Sequence, residues 1–440
     1  MSGTSPIATL SSQRAYARTS SRYRAGKLSV PKIAECAPRG FYRTTFPQCF
    51  PARCRGATAE SPSAVTLTAV RIAIVTESFL PHVNGVTNSV CRVLEHLARR
   101  GHEVLVVAPG PGPGDHDDRL RLTPGIHLPF YRSFVVGLPT RQVTAALRDF
   151  GPDVIHLASP LMLGTSGIAA ARRLDVPTVA VFQTDVVGFA RRYGLRGADA
   201  LGWAWLRHIH ERADRTLVPS RPTLDELRRR GFPRLALWAR GVDDQRFHPR
   251  HRSAELRARL APGGEVLVGY VGRLAPEKRP WLLSHLADLP GVRLVVVGDG
   301  PAKRRLERML PEAVFTGFRT GDELSELVAS LDVFVHTGAD ETFGQAVQEG
   351  LAAGLPVVAP ASGGPLDLVR PGHNGLLYPP DDPAALRAAV AALATDATTR
   401  ARMGNHARLS VHGRDWGGIG DQLLGHYADV MHGAVAEQAA

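Results

Sequence analysis

From Val70 onward the chain repeats one theme, a short run of apolar and often β-branched residues followed by a stretch whose apolar positions recur every three to four residues. Alternation of this kind describes parallel strands joined by helices. In the first half, residues 71–76, 103–108, 154–157, 178–182 and 215–219 read as strands. Residues 87–100 read as an amphipathic helix, with Val90, Val93, Leu94 and Leu97 on one face and Gly101 at the stop. A second series at 266–271, 293–298, 314–316, 333–336 and 356–359 describes another open sheet.

Between the two series, Gly241, Asp243, Asp244 and Pro249 interrupt any regular period, which places a hinge at 241–250. The expectation is an α/β chain of two facing Rossmann-like domains, 70–240 and 251–415, with a C-terminal helix at 416–432 free to cross back onto the first domain and a tail at 433–440. Its regular part is read at 421–431. Ligands of open α/β sheets lie outside the carboxyl ends of the strands, so two facing sheets place a ligand between them.

Length and charge fit that picture. A chain of 440 residues exceeds one core, and no apolar run reaches the roughly 18 to 20 residues needed to cross a bilayer. The net charge of +12 looks like a nucleic-acid signal until it is located. Residues 1–69 carry ten bases against Glu35 and Glu60, so the body is only mildly basic and nucleic acid is not an expected partner. Cys36, Cys49 and Cys54 also lie in this leader, and Cys91 alone lies in the body. That usage fits a reducing cytoplasm. The leader shows no useful periodicity, and its readings are a disordered extension, an organelle transit segment, or translation that starts near Val70. Its removal is expected to leave activity intact.

The loops after the strands hold the candidate chemistry. After the first strand, Asn84-Gly85 opens a helix, where backbone N–H groups and the helix dipole suit an anion, although a plain turn reads equally well. A dinucleotide site would show Gly-x-Gly-x-x-Gly here and an acid after the second strand; the chain has Ala108-Pro109-Gly110 instead. Gly272-Arg273 through Lys278 sets two cations five residues apart after a glycine turn, a pattern suited to a diphosphate. Lysine occurs only four times among 53 basic residues, so Lys278 points to a need for a compact charge. A solvated cation at a helix start is disfavoured by the dipole. Gly298-Asp299-Gly300 and Gly317-Phe318 frame a flat base, with Phe318 as its wall, or are two tight turns. Phe343-Gly344-Gln345 opens a helix between Glu341 and Glu349, whose spacing of eight residues is about 12 Å along a helix and lets both face one elongated ligand.

These motifs together resemble the retaining glycosyltransferases of family 4, of the two-domain GT-B type. Within that family the chain is most similar to actinobacterial GDP-mannose-dependent α-mannosyltransferases acting on lipid acceptors. The likeness covers about 70–430 and rests on Glu77-Ser78-Phe79-Leu80-Pro81 with Asn84-Gly85-Val86, His156-Leu157-Ala158-Ser159-Pro160, Gln183-Thr184-Asp185, Gly241-Val242-Asp243, Gly272-Arg273 with Lys278, Glu341-Thr342-Phe343 through Glu349, and Gly363-Gly364-Pro365.

The resemblance implies that Arg273 and Lys278 hold the diphosphate of a nucleotide-sugar donor and that Glu341 contacts the sugar, with these three carrying catalysis. Asn84, Gly85, Phe318, Phe343, Gly344, Gln345 and Glu349 would bind the donor, with Glu349 on the ribose. Many relatives have histidine where this chain has Gln183; glutamine cannot shuttle a proton, so Gln183 is expected to orient donor or acceptor. Asp185 is the candidate for acceptor contact. Retention at the anomeric carbon, through front-face attack within an ion pair, is the implied course. No metal or other cofactor is expected, since the acidic pairs at 117–118, 243–244 and 381–382 are adjacent and lack Asp-x-Asp spacing.

The expected acceptor is a lipid at the inner face of the plasma membrane. Residues 201–215, with Trp203, Trp205 and three arginines, and the segment 130–134 are the candidate membrane-facing surfaces, against a core helix with solvated arginines. The alternatives are a UDP-sugar-dependent glycolipid transferase of the same family and a catalytically silent nucleotide-sugar-binding protein.

Overall fold

The computed structural model describes residues 69–80, 84–110, 119–128, 131–138, 140–183 and 199–439. In the first domain, β1 (Arg71–Thr76), α1 (Gly85–Arg99), β2 (Glu103–Pro109) and β3 (Leu120–Thr123) lead to the hairpin of β4 (Gly125–Leu128) and β5 (Tyr131–Gly137). Then come α2 (Arg141–Phe150), β6 (Val154–Ala158), α3 (Met162–Leu174), β7 (Thr178–Val181), α4 (Asp199–His210), β8 (Arg215–Val218), α5 (Arg221–Arg229) and β9 (Leu235–Leu237). The seven-stranded sheet runs β3-β2-β1-β6-β7-β8-β9, parallel throughout.

In the second domain, α6 (Ala254–Leu260), β10 (Val266–Val271), β11 (Val292–Val297), α7 (Lys303–Met309), β12 (Val314–Gly317), α8 (Gly321–Ala329) and β13 (Val333–Val335) are followed by α9 (Gln345–Ala352). The chain continues through β14 (Val357–Pro360), α10 (Pro365–Leu368), β15 (Gly375–Tyr378), α11 (Pro383–Thr395) and α12 (Ala397–Ser410) to α13 (Trp416–Ala439). Its parallel sheet runs β12-β11-β10-β13-β14-β15. Strand order reverses beside the first strand of each sheet, between β1 and β6 and between β10 and β13. These are the points where the loops part and a ligand can enter.

The strands form where the apolar runs predict them because both faces of each sheet are covered. Ile72 to Val75 are at most 1% exposed, and Val333 to Val335 likewise. In α1 the Asn84 side chain accepts from the N–H groups of Val86 and Thr87, closing the first turn, while Val90, Val93, Leu94 and Leu97 bury the inner face.

Two segments cross between the domains side by side. Val242 N–H donates to Arg414 O at 2.8 Å. Gly241 permits this, because a Cβ there would stand 2.7 Å from Trp416 Cα. Helix α13 then lies on the first domain, where Ile419, Leu423, Leu424, Tyr427 and Val430 join Ile72, Ile74 and Leu94 in one core. Each such side chain contributes about 1.5–3 kcal/mol when fully buried. Trp238 Nε1 donates to Ile419 O at 2.9 Å, and Tyr427 Oη lies 2.8 Å from Nδ1 of His156. Burial pushes His156 down to about 4, so it is neutral at pH 7 and serves this seam.

Several expectations are corrected. The last helix is longer than 421–431 and runs through the supposed tail to Ala439, with Ala, Glu and Gln favouring its extension. Residues 131–134, expected in an exposed loop, belong to β5, while Phe130 lies outside the described residues. Three short strands, β3, β9 and β15, and the β4–β5 hairpin were not foreseen.

Candidate donor site at the second switch point

The first cation stands on a turn that only glycines allow. A Cβ on Gly298 would lie 2.0 Å from Gly272 O, and one on Gly300 2.4 Å from Leu274 O. The loops after β10 and β11 are therefore pressed together, with φ of 140° and 155° at those glycines. The Tyr270 hydroxyl donates to Arg273 O at 3.1 Å. The guanidinium of Arg273 stays one-third exposed, with Nη1 3.9 Å from Oε1 of Glu277. Burial lowers the Arg273 pKa and Glu277 opposes that change.

Lys278 is placed differently from the sequence expectation. No α-helix starts there; Pro276–Lys278 and Pro280–Leu286 are 3-10 segments separated by Arg279 at φ 49°. The helix-dipole argument for Lys278 therefore falls away. Its position comes from tertiary contacts instead. Thr337 Oγ1 donates to Lys278 O at 2.6 Å, and the Lys278 ammonium donates to Oε1 of Glu341. His336 Nε2 lies 3.3 Å from the same oxygen. Burial works to raise the Glu341 pKa, yet the Lys278 charge and the His336 contact overcome it and hold the carboxyl well below the usual carboxylate range.

Glu341 precedes helix α9 and lies in the loop after β13, so the expected shared helical face of Glu341 and Glu349 does not exist. The loop is held by the Gly363-Gly364 turn. Gly364 N–H donates to Glu341 O at 2.7 Å, and a Cβ on Gly364 would lie 1.9 Å from Phe343 O. Phe343 is 3% exposed and its ring belongs to the second-domain core. Gly344 caps α9 with φ 93°, a left-handed conformation that favours glycine.

On α9, the Gln345 amide donates to Gly241 O at 3.1 Å and lies 3.5 Å from Oε1 of Glu349. Burial pushes Glu349 up to about 7; the charges of Arg246 and Arg92 and the Gln345 contact oppose it, and Asp243 reinforces it. Glu341 and Glu349 thus sit in opposite electrostatic settings.

The first domain supplies the facing wall. Gly85 is exposed at the start of α1, while the Asn84 side chain is occupied by its cap and by donation to Ser78 Oγ at 2.6 Å. Gln183 is 7% exposed at the end of β7. The seam around it is tight. Ser220 Oγ and Thr223 Oγ1 donate to Thr342 O at 2.7 and 3.1 Å, and Thr342 Oγ1 donates to Gln183 O at 3.1 Å.

The residue that sequence reasoning missed is Arg240. It is 7% exposed and donates from Nη1 to Gly85 O at 3.0 Å and from Nη2 to Gln183 Oε1 at 2.5 Å. Burial lowers its pKa to about 10 and the charge of Glu341 resists. Its one linear signal was position, directly before Gly241-Val242-Asp243.

Lys278 and Glu341 are in direct contact, and Gln183 and Gly85 meet through Arg240. Phe318 stands apart, 62% exposed at the end of edge strand β12 and two strands, about 10 Å, from β10. Asp185 lies outside the described residues. On α4, Trp203 stacks on Phe182 and lies under Arg230 at 3.9 Å, so it belongs to a satellite core; Trp205 and Leu201 remain 42% and 76% exposed. Among the described residues no helix is long and apolar enough to cross a membrane.

Two Rossmann-like sheets facing each other, with fixed cations and carboxylates at one switch point and a hydrogen-bonding wall at the other, define a GT-B glycosyltransferase. Sucrose-phosphate synthase from Thermosynechococcus elongatus shares the fold, with a TM-score of 0.69 at 23% identity over 83% of this chain and 100% of that one. The Glycosyltransferase Family 4 profile matches residues 83–246, and the Glycosyl transferases group 1 profile matches 252–410. A GDP-mannose-dependent α-mannosyltransferase from Mycobacterium tuberculosis is 52% identical over 379 residues, 84% of this chain and 99% of that protein. A GDP-mannose-dependent α-(1-6)-phosphatidylinositol dimannoside mannosyltransferase from the same species is 32% identical, covering 66% of this chain and 79% of that protein. The chain belongs to glycosyltransferase family 4.

Proposed function

We propose that the protein transfers mannose from GDP-mannose to a glycolipid at a membrane surface. The observation that carries the reading is the cluster of Lys278, Glu341 and His336 at the mouth between β10 and β13, with Arg273 on the loop that follows β10. Lys278 and Arg273 face a diphosphate and stabilise the negative charge that grows on it as the glycosidic bond breaks. Glu341 is held anionic and accepts hydrogen bonds from sugar hydroxyls, while Glu349 lies farther along α9 and takes the ribose. Gly85 contributes backbone N–H at the start of α1, which suits the same diphosphate. The identity to mannosyltransferases supports mannose as the transferred sugar, and the phosphatidylinositol dimannoside relative supports a lipid acceptor.

The test is turnover of the full chain with a panel of radiolabelled nucleotide sugars and extracted polar lipids. Label is expected in the lipid fraction with GDP-mannose alone. Transfer from a UDP-sugar in preference would overturn the donor, and transfer only to water-soluble sugars would overturn the acceptor.

A further inference from the structure

We infer that Arg240 is a positioning residue that fixes the side-chain amide of Gln183, so that the first-domain wall offers an N–H donor to an oxygen of the transferred sugar. The inference rests on the donor-site reading above and adds a residue and a polarity to it.

A guanidinium can only donate, so the Gln183 atom 2.5 Å from Nη2 of Arg240 must be the amide oxygen. The amide nitrogen is then the atom left to donate. The orientation is not free to reverse, because a flipped amide would oppose N–H to N–H in a site where both residues are 7% exposed. Arg240 is itself held on three sides. Nη1 donates to Gly85 O at 3.0 Å, its carbonyl accepts from Gln348 Nε2 at 3.0 Å, and the next carbonyl, Gly241 O, accepts from Gln345 Nε2 at 3.1 Å. Gln345 and Gln348 are on α9, the helix that carries Glu349. The Arg240 side chain thus joins the start of α1 to the end of β7, while the backbone carbonyls of Arg240 and Gly241 fix the segment to α9 of the second domain.

Thr342, which follows Glu341 in the chain, donates from Oγ1 to Gln183 O at 3.1 Å, so the loop of the carboxylate proposed to hold the sugar packs against Gln183. Gln183 and Glu341 then offer complementary groups to one hexose: a donor from the first domain and an acceptor from the second. A sugar hydroxyl oxygen that accepts from Gln183 is recognised only after both domains are in place.

The experiment compares affinities for GDP and for GDP-mannose by titration calorimetry on the full chain, with donor hydrolysis as a second readout. Gln183→Glu keeps the size and the bond to Arg240 but replaces the donor by an acceptor. It should leave GDP affinity unchanged and weaken GDP-mannose about tenfold, the value of one buried hydrogen bond and its mismatch. Arg240→Gln should shift the same ratio, and the double variant should lose no more than the larger single loss, while Arg240→Lys should recover part of it. Because Gln183→Glu retains the packing, it keeps the test valid if Arg240→Gln folds poorly. Unchanged GDP-mannose to GDP ratios in Gln183→Glu, or losses that multiply in the double variant, would overturn the inference. Failure of the unaltered chain to bind either nucleotide would instead overturn the donor-site reading.

Discussion

Two buried glutamates occupy related places in the two sheets and have opposite fates. Glu77 follows β1 at the first switch point and is 3% exposed; its Oε1 accepts from Leu161 and Gly164 N–H at 3.0 and 2.9 Å, and Oε2 has no partner. Among the described residues no cation is hydrogen-bonded to it, so burial outweighs the backbone bonds and pushes it up to about 7. Glu341, in the loop after β13, shares one oxygen with Lys278 and His336 and is held anionic. Burial acts in the same direction on both. What differs is a fixed ammonium within hydrogen-bonding reach. The same architecture therefore yields a carboxyl that joins a strand to a helix in one domain and a paired carboxylate, proposed to meet the sugar, in the other.

The sharpest way to break that contrast is to remove the ammonium. Lys278→Ala should lower kcat by at least about a hundredfold, since it deletes the charge partner proposed for the transition state and leaves Glu341 buried without its main counter-charge. Unchanged turnover would show that the pair is architectural, as at Glu77. The next effect concerns Glu349, whose carboxyl ionises as pH rises through about 7. If the anion accepts from the ribose, GDP-mannose should bind roughly tenfold more weakly at pH 6 than at pH 8, and Glu349→Gln should flatten that profile. A flat profile in the unaltered protein would separate Glu349 from the ribose.

The effect at Glu77 falls on stability and leaves the donor site untouched. A folded-state pKa raised from 4.5 to about 7 adds stability that is fully present below 4.5 and is lost as pH rises through 7. Glu77→Gln mimics the protonated form. It should therefore match the unaltered protein near pH 4 and exceed it by about 3 kcal/mol near pH 8 in denaturant titrations. Equal stabilities at pH 8 would mean that the two helix-start N–H bonds suffice to keep Glu77 ionised.

The glycines show how much of the site was legible along the chain. Gly272, Gly344 and Gly363-Gly364 were visible beside the acidic and basic positions, and each proves to stand where a strained φ or a close backbone contact demands it. Arg240 was legible only as the residue before a hinge. Its importance depends on Gly85 and Gln183, 155 and 57 residues away, which no local pattern connects. Lys278 stands out through its rarity, but the dipole argument fails, because Pro280 has no N–H to bond Pro276 O and the chain turns at Arg279 to φ 49°, which ends the segment as a 3-10 turn. The unforeseen strands β9 and β15 span three and four residues, too short to show a period.

The linear order of residues by itself determined two parallel α/β sheets, the strand-end loops that bear the chemistry, and the family, because apolar periodicity and glycine placement are local properties. Only the tertiary structure decided which charges are paired. A carboxyl's protonation depends on burial and on neighbours brought from distant strands, so the ionisation of Glu77, Glu341 and Glu349 has no signature in the chain and becomes distinct once it folds.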